Sequence, residues 1–213
     1  MISSNILHLW IIPNNGKFMA TTNLEKNISK SLSKKRAEEF LYSRGQIREV
    51  LSRHFDIPAL EVQLEAMPGK PPILQKNLGN LSFSHCKDAL FLGLSNIKFG
   101  IDIERKDRRF NYKSIVDKFF LEEEKKDLKF LYGEELRIMA LKMWVIKESS
   151  IKWQKGSISR DLSKWSIRKD LKRAYHLEKN IFLSTCYLDY LHWSIGIAHN
   201  AKFLKINPIS IFS

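Results

Sequence analysis

Two long stretches with helical spacing, each leading into short alternating segments, constrain the fold of this 213-residue chain more than any other feature. The first lies within residues 29–55, is basic, opens with Ser33 as N-cap and stops before Pro58. The second covers residues 134–153, with shorter helical patterns ahead of it at 112–119 and 122–131. Strands are expected near 60–66, 81–86, 89–95 and 98–104, with a turn at Pro68-Gly69-Lys70-Pro71-Pro72 among them. Residues 181–187 and 191–199 alternate in the same way, and 5–12 reads as a first strand. Two short echoes relate the halves: Phe40-Leu41-Tyr42 with Phe130-Leu131-Tyr132, and Ser84-His85-Cys86 with Ser184-Thr185-Cys186. The expectation is an α+β fold of two pseudo-symmetric halves, 1–104 and 105–213. Each is a long helix packed on a small antiparallel sheet, with a ligand site between them.

Charge narrows the partners. With 36 Lys and Arg against 23 Asp and Glu, the chain carries a formal charge of +13, a field that favours polyanions. No apolar run approaches the ~18 residues of a membrane span, and the apolar stretch at 5–12 is too short, and lacks the basic leader, of a signal peptide. A cytoplasmic protein without a membrane partner is expected. The two cysteines, Cys86 and Cys186, form no Cys-x-x-Cys pair and read as small packing residues in a reducing compartment.

The segment Phe99-Gly100-Ile101-Asp102-Ile103-Glu104 alternates, so Asp102 and Glu104 share one strand face while Ile101 and Ile103 point into a core. Alone, Asp-x-Glu more often marks the polar end of a strand. Here a helix follows on which Trp144, Lys147, Glu148, Ile151 and Lys152 form one broad stripe. Glu148 offers a third oxygen donor, and Glu124, ending the run Glu122-Glu123-Glu124, a fourth or a water contact. Mg²⁺ takes about six oxygens and keeps several as water or phosphate, so two or three carboxylates suffice. Lys147, Lys152 and Lys155 can neutralise phosphate oxygens around such a metal. Arg44 and Arg48, one helical turn apart, can clasp a phosphate, and Lys70 is a fixed charge in a rigid turn.

From about Arg44 to Gly156 these pieces, in this order, resemble the surfactin-synthetase-type 4′-phosphopantetheinyl transferases. The likeness rests on Arg44/Arg48, Gly69-Lys70-Pro71, Phe83-Ser84-His85-Cys86, Gly100-Ile101-Asp102-Ile103-Glu104, Phe119-Phe120-Leu121-Glu122-Glu123-Glu124 and Trp144-x-x-Lys147-Glu148-Ser149-x-x-Lys152. It implies a Mg²⁺ (or Mn²⁺) site at Asp102, Glu104 and Glu148 and coenzyme A contacts at Arg44, Arg48, Lys70, Ser84, His85, Lys147 and Lys152. Catalytic roles fall to Glu148, Lys152 and Glu124. The implied reaction moves phosphopantetheine from coenzyme A to a serine of an apo acyl or peptidyl carrier protein, releasing adenosine 3′,5′-bisphosphate. Such carriers serve fatty-acid, polyketide and nonribosomal-peptide biosynthesis and are typically acidic, which suits a basic, monomeric enzyme. Two positions depart from the family pattern. Leu121 stands where a small polar residue is usual, and Cys86 where serine is.

Two other readings compete. Asp88, Glu104 and Lys106 can be written as the acid, acid, lysine set of a Mg²⁺-dependent nuclease, and charge alone would suit a basic nucleic-acid-binding protein. Both leave the Gly-Lys-Pro turn, the Ser-His strand end and the 144–152 helix without a task.

Overall fold

The computed structural model describes residues 5–212 of the chain. Strand β1 (Ile6–Pro13) is followed by the short helix α1 (Asn23–Ser29) and the long helix α2 (Lys34–Phe55). Thr22 and Glu25 close a capping box on α1; Ser33 takes the N-cap position of α2 without a side-chain bond. The chain continues through β2 (Leu64–Glu65), β3 (Ile73–Leu74), β4 (Asn80–His85), β5 (Ala89–Ser95) and β6 (Phe99–Arg105). Helices α3 (Tyr112–Phe119), α4 (Glu122–Leu128), α5 (Gly133–Gln154) and α6 (Ile158–Asp161) come next. Strands β7 (Trp165–Ile167), β8 (Arg173–His176), β9 (Ile181–Tyr190), β10 (Trp193–His199), β11 (Lys205–Ile206) and β12 (Ser210–Ile211) complete it.

These elements build two pseudo-symmetric halves, each a long helix on a small, largely antiparallel sheet. The first sheet runs β11-β1-β5-β4, with β11 and β12 both parallel to β1; the second runs β6-β10-β9-β8-β7 and is antiparallel throughout. Helix α2 buries Ile47, Val50 and Leu51 against Leu81, Leu90, Leu92 and Leu94 of the first sheet. Helix α5 buries Met143, Val145 and Ile146 against Trp165, Ile167, Ala174 and Leu183 of the second. A third cluster, with Leu7, Leu9 and Phe91 against Ile101, Ile103, Ile195 and Ile197, joins the sheets. Burying these side chains is the main force holding the halves together. The sheets do not divide at one point in the chain: β6 is hydrogen-bonded into the second sheet, and β11 and β12 return to the first.

The strand expected over 60–66 is reduced to Leu64–Glu65. Its carbonyls found another donor. Arg48 gives hydrogen bonds to the oxygens of Ala59, Val62 and Leu64, which leaves the segment no need of a neighbouring strand. Among the described residues, no helix is long and apolar enough to cross a membrane. Cys86 and Cys186 are free and half-buried, and burial pushes the Cys86 thiol up to about 12.

Candidate active site where the two sheets meet

Strand β6 presents Asp102 and Glu104 on the face that α5 crosses, and α5 brings Glu148 down onto them. The crossing is close because two glycines permit it. A Cβ on Gly100 would overlap the carbonyl oxygen of Ser149, and one on Gly196 the carbonyl oxygen of Val145. Gly196 pairs directly with Asp102 across β10 and β6, so the helix backbone rests on the sheet beside the carboxylate. Ser149 and Ser150, also small and fully buried, return their hydroxyls to the Ile146 carbonyl. One carboxylate oxygen each from Asp102, Glu104 and Glu148 then lies within 4.8 Å of the other two.

Two cations offset the three acids. Lys152 Nζ donates to Asp102 Oδ1 at 2.6 Å, and Ser84 Oγ donates to the same oxygen at 2.6 Å. Asp102 Oδ2 is buried and has no hydrogen-bond partner among the described residues. Arg108 pairs with Glu104 and lies near the faces of Phe110 and Trp144. Burial, and then the charge of Asp102, raises Glu104 to about 7. The same two causes, in the same order, carry Glu148 well above the ordinary carboxylate range. These residues fit a hard divalent cation. They are all oxygen donors, bonds of about 2.0–2.1 Å put opposite ligands roughly 4.2 Å apart, and an orphaned buried carboxylate oxygen costs free energy until something binds it.

A cleft of about 830 Å³ adjoins the acids. One wall is the turn at Lys70, Pro71 and Pro72 with Phe83 of β4; the other is the end of α5, with Lys152, Trp153 and Lys155. Lys98 also lines it, with its ammonium 3.8 Å from the Trp153 ring centroid. Among the described residues, four lysines and no acid face this space, between apolar walls. Lys152 belongs both to the cleft and to the acid cluster. Such a groove suits a ligand with several phosphate charges and a flat or apolar body. His85 stands at the exposed end of β4; partial loss of solvent, then Lys152, hold its imidazole below the usual range.

Not every expected residue reaches this place. Lys147 is fully buried on another face of α5, bonded to Glu124 at 2.8 Å and to the carbonyl oxygen of Trp165. Glu124 also accepts from the backbone N–H groups of Leu121 and Ile167, so it ties α4, α5 and β7 together. Its bond from the Leu121 N–H is the N3 half of a capping box; the leucine side chain at 121 has no acceptor to supply the other half. Arg48 is enclosed by Glu25 and three carbonyls. Arg44 donates to the Ala66 carbonyl and packs between Phe40 and Phe83. The nuclease set does not assemble. Asp88 is held by Arg105, Trp193 and Cys86, and Lys106 by Asp189. Arg108, Lys98 and Gly196 belong to the site although the sequence did not single them out. The Glu-x-x-x-Arg spacing from Glu104, near the end of β6, to Arg108 was the signal for Arg108.

No curated protein matches the chain significantly. A family model does, described as the 4′-phosphopantetheinyl transferase superfamily, over residues 98–201. That stretch holds Asp102, Glu104, Glu148 and Lys152 and the strand and helix that juxtapose them. A domain of the 4′-phosphopantetheinyl transferase superfamily thus makes up about half of this chain and carries its candidate metal cluster.

Proposed function

We propose that the protein is a Mg²⁺-dependent 4′-phosphopantetheinyl transferase, able to use Mn²⁺, that loads a serine of an acidic apo carrier protein from coenzyme A. The observation that carries this reading is the position of Lys152, which touches Asp102 in the three-carboxylate cluster and lines the lysine-walled cleft. A site for a cation and a site for a pyrophosphate are then continuous. Asp102, Glu104 and Glu148 would hold the metal, which supplies Lewis-acid neutralisation of the pyrophosphate charge.

The chain's own groups account for the rest. Lys70, Lys98 and Lys155 hold phosphate oxygens, and Phe83, Phe99 and Trp153 shelter the uncharged parts of the coenzyme. His85 stands near enough to Lys152 and Asp102 to feel their charges, and it orients the nucleotide end. The carrier serine hydroxyl attacks the phosphorus that bears the pantetheine arm. The bond from that phosphorus to the bridging oxygen breaks, and adenosine 3′,5′-bisphosphate leaves. Glu148 takes the serine proton directly or through water. Lys152 compensates charge on the transferring phosphoryl group. Glu124 and Lys147 act from behind, fixing α5 against α4 and β7. We take the enzyme to be a monomer, because one chain supplies both walls of the cleft, and to work in the cytoplasm.

Incubation with coenzyme A, Mg²⁺ and an apo carrier protein should add the mass of phosphopantetheine to the carrier serine. Asp102→Ala should abolish the transfer while the chain still melts cooperatively. Full transfer by that variant would remove the metal assignment.

A further inference from the structure

Ser84 was expected to touch the coenzyme, yet its hydroxyl is already committed elsewhere. A serine has one O–H to donate, and Ser84 gives it to Asp102 Oδ1 at 2.6 Å. Phosphate oxygens only accept, so none is left for them. The residue is buried at the end of β4, and the neighbouring Ser82 on the same strand face accepts from the Ile101 N–H of β6. The outer edge of β6 is therefore fastened to β4 by two serines, one through the backbone and one through a carboxylate. Lys152 lands on the same Oδ1, and Oδ2 is left buried without a partner.

We infer that Ser84 is a positioning residue for the metal: it fixes the rotation of the Asp102 carboxylate so that Oδ2 faces the position between Glu104 and Glu148. The inference rests on the metal site of the proposed function. A carboxylate is free to turn about its last bond, and a ligand that must be turned on binding loses affinity. Lys152 alone does not serve this purpose, since its long side chain also lines the cleft and is free to be drawn toward an anion bound there. The hydroxyl comes from a short side chain on a strand and has no such freedom. One half of the molecule thereby sets a ligand carried by the other sheet.

The test is Mn²⁺ affinity of the chain without coenzyme, read by the loss of the free-ion paramagnetic resonance signal. Ser84→Ala should weaken Mn²⁺ binding about tenfold. Ser84→Thr, which keeps the hydroxyl, should bind like the wild type. Ser82→Ala, which touches no carboxylate, should also keep its affinity. Coenzyme A affinity in the presence of a chelator should not differ between Ser84→Ala and wild type. Equal Mn²⁺ affinity in Ser84→Ala, or a loss confined to coenzyme binding under chelation, overturns the inference and leaves the metal site standing. No Mn²⁺ binding by the wild type overturns both. If Ser84→Ala does not melt cooperatively, Ser84→Cys, similar in shape and a weaker donor, takes its place, with the same weakening expected and the same results overturning the inference.

Discussion

At the scale of single residues, the site is an arrangement of acids that resist ionising together. Glu104 titrates at about 7, and Glu148 is also raised, against 4.5 for a free glutamate. Between those limits the metal-free fold holds protons that the unfolded chain has released. The folding stability contributed by Glu104 is complete below pH 4.5 and falls as pH rises through about 7, and that of Glu148 is lost in the same direction, as pH rises through its own raised value. A divalent cation takes the place of the protons, so its stabilising effect should grow with pH. The gain in melting temperature from Mg²⁺ over chelator should be larger at about pH 8 than at about pH 6. An equal gain at both would contradict the assignment of these carboxylates to the metal. Lys147 calls for a different expectation. Breaking a buried ion pair by removing one partner costs about 3–5 kcal/mol. Lys147→Met should lower the denaturation midpoint accordingly, and a loss of coenzyme affinity at unchanged stability would contradict its structural placement. The sequence made Asp102, Glu104 and Glu148 legible because alternation and helical spacing fix which way a side chain points. It did not separate Lys147 from Lys152. Both are lysines on one helix, and only the packing of α4 and β7 on one side shows which is enclosed.

At the scale of elements, the approach of α5 to β6 and β10 determines whether the acids meet. Gly100 is the critical point, since any side chain there meets the backbone of α5 at Ser149 and Trp153. Backbone cannot move aside as a flexible side chain does, so Gly100→Ala should cost about 1–3 kcal/mol or more. It should also weaken Mn²⁺ binding although every ligand is intact; normal metal affinity in a destabilised Gly100→Ala would show that the acids do not depend on this crossing. Most elements were readable from period and punctuation. Helix α3 has the bounds its spacing indicates, Tyr112–Phe119, and β5 those of its apolar run, Ala89–Ser95. The segment at 60–66 was not readable, because its β-like residues satisfy their carbonyls through Arg48, a partner twelve or more positions away. The echo of Phe40-Leu41-Tyr42 and Phe130-Leu131-Tyr132 is also out of phase with the helices: the first lies inside α2 and the second ahead of α5.

At the scale of the whole molecule, the helix-then-strands order repeated in the sequence is what makes two halves, and a cleft forms where they meet. Strand exchange between the sheets was not legible, since the two-residue strands β11 and β12 carry too little pattern to name a partner. The +13 charge is a property of the entire surface and acts on encounter rather than on chemistry. For an acidic carrier protein, kcat/KM should fall steeply as ionic strength rises and the Debye length shrinks below about 10 Å, while kcat changes little. Insensitivity of kcat/KM to salt would rule out steering. The central claim, that one continuous site takes a divalent cation and the coenzyme pyrophosphate, is tested most directly by crystals grown with Mn²⁺ and coenzyme A. An anomalous-difference map at the manganese edge should show a peak between Asp102, Glu104 and Glu148, with pyrophosphate density running from it past Lys152 toward Lys70. Manganese elsewhere, or coenzyme bound outside that cleft, would contradict the account.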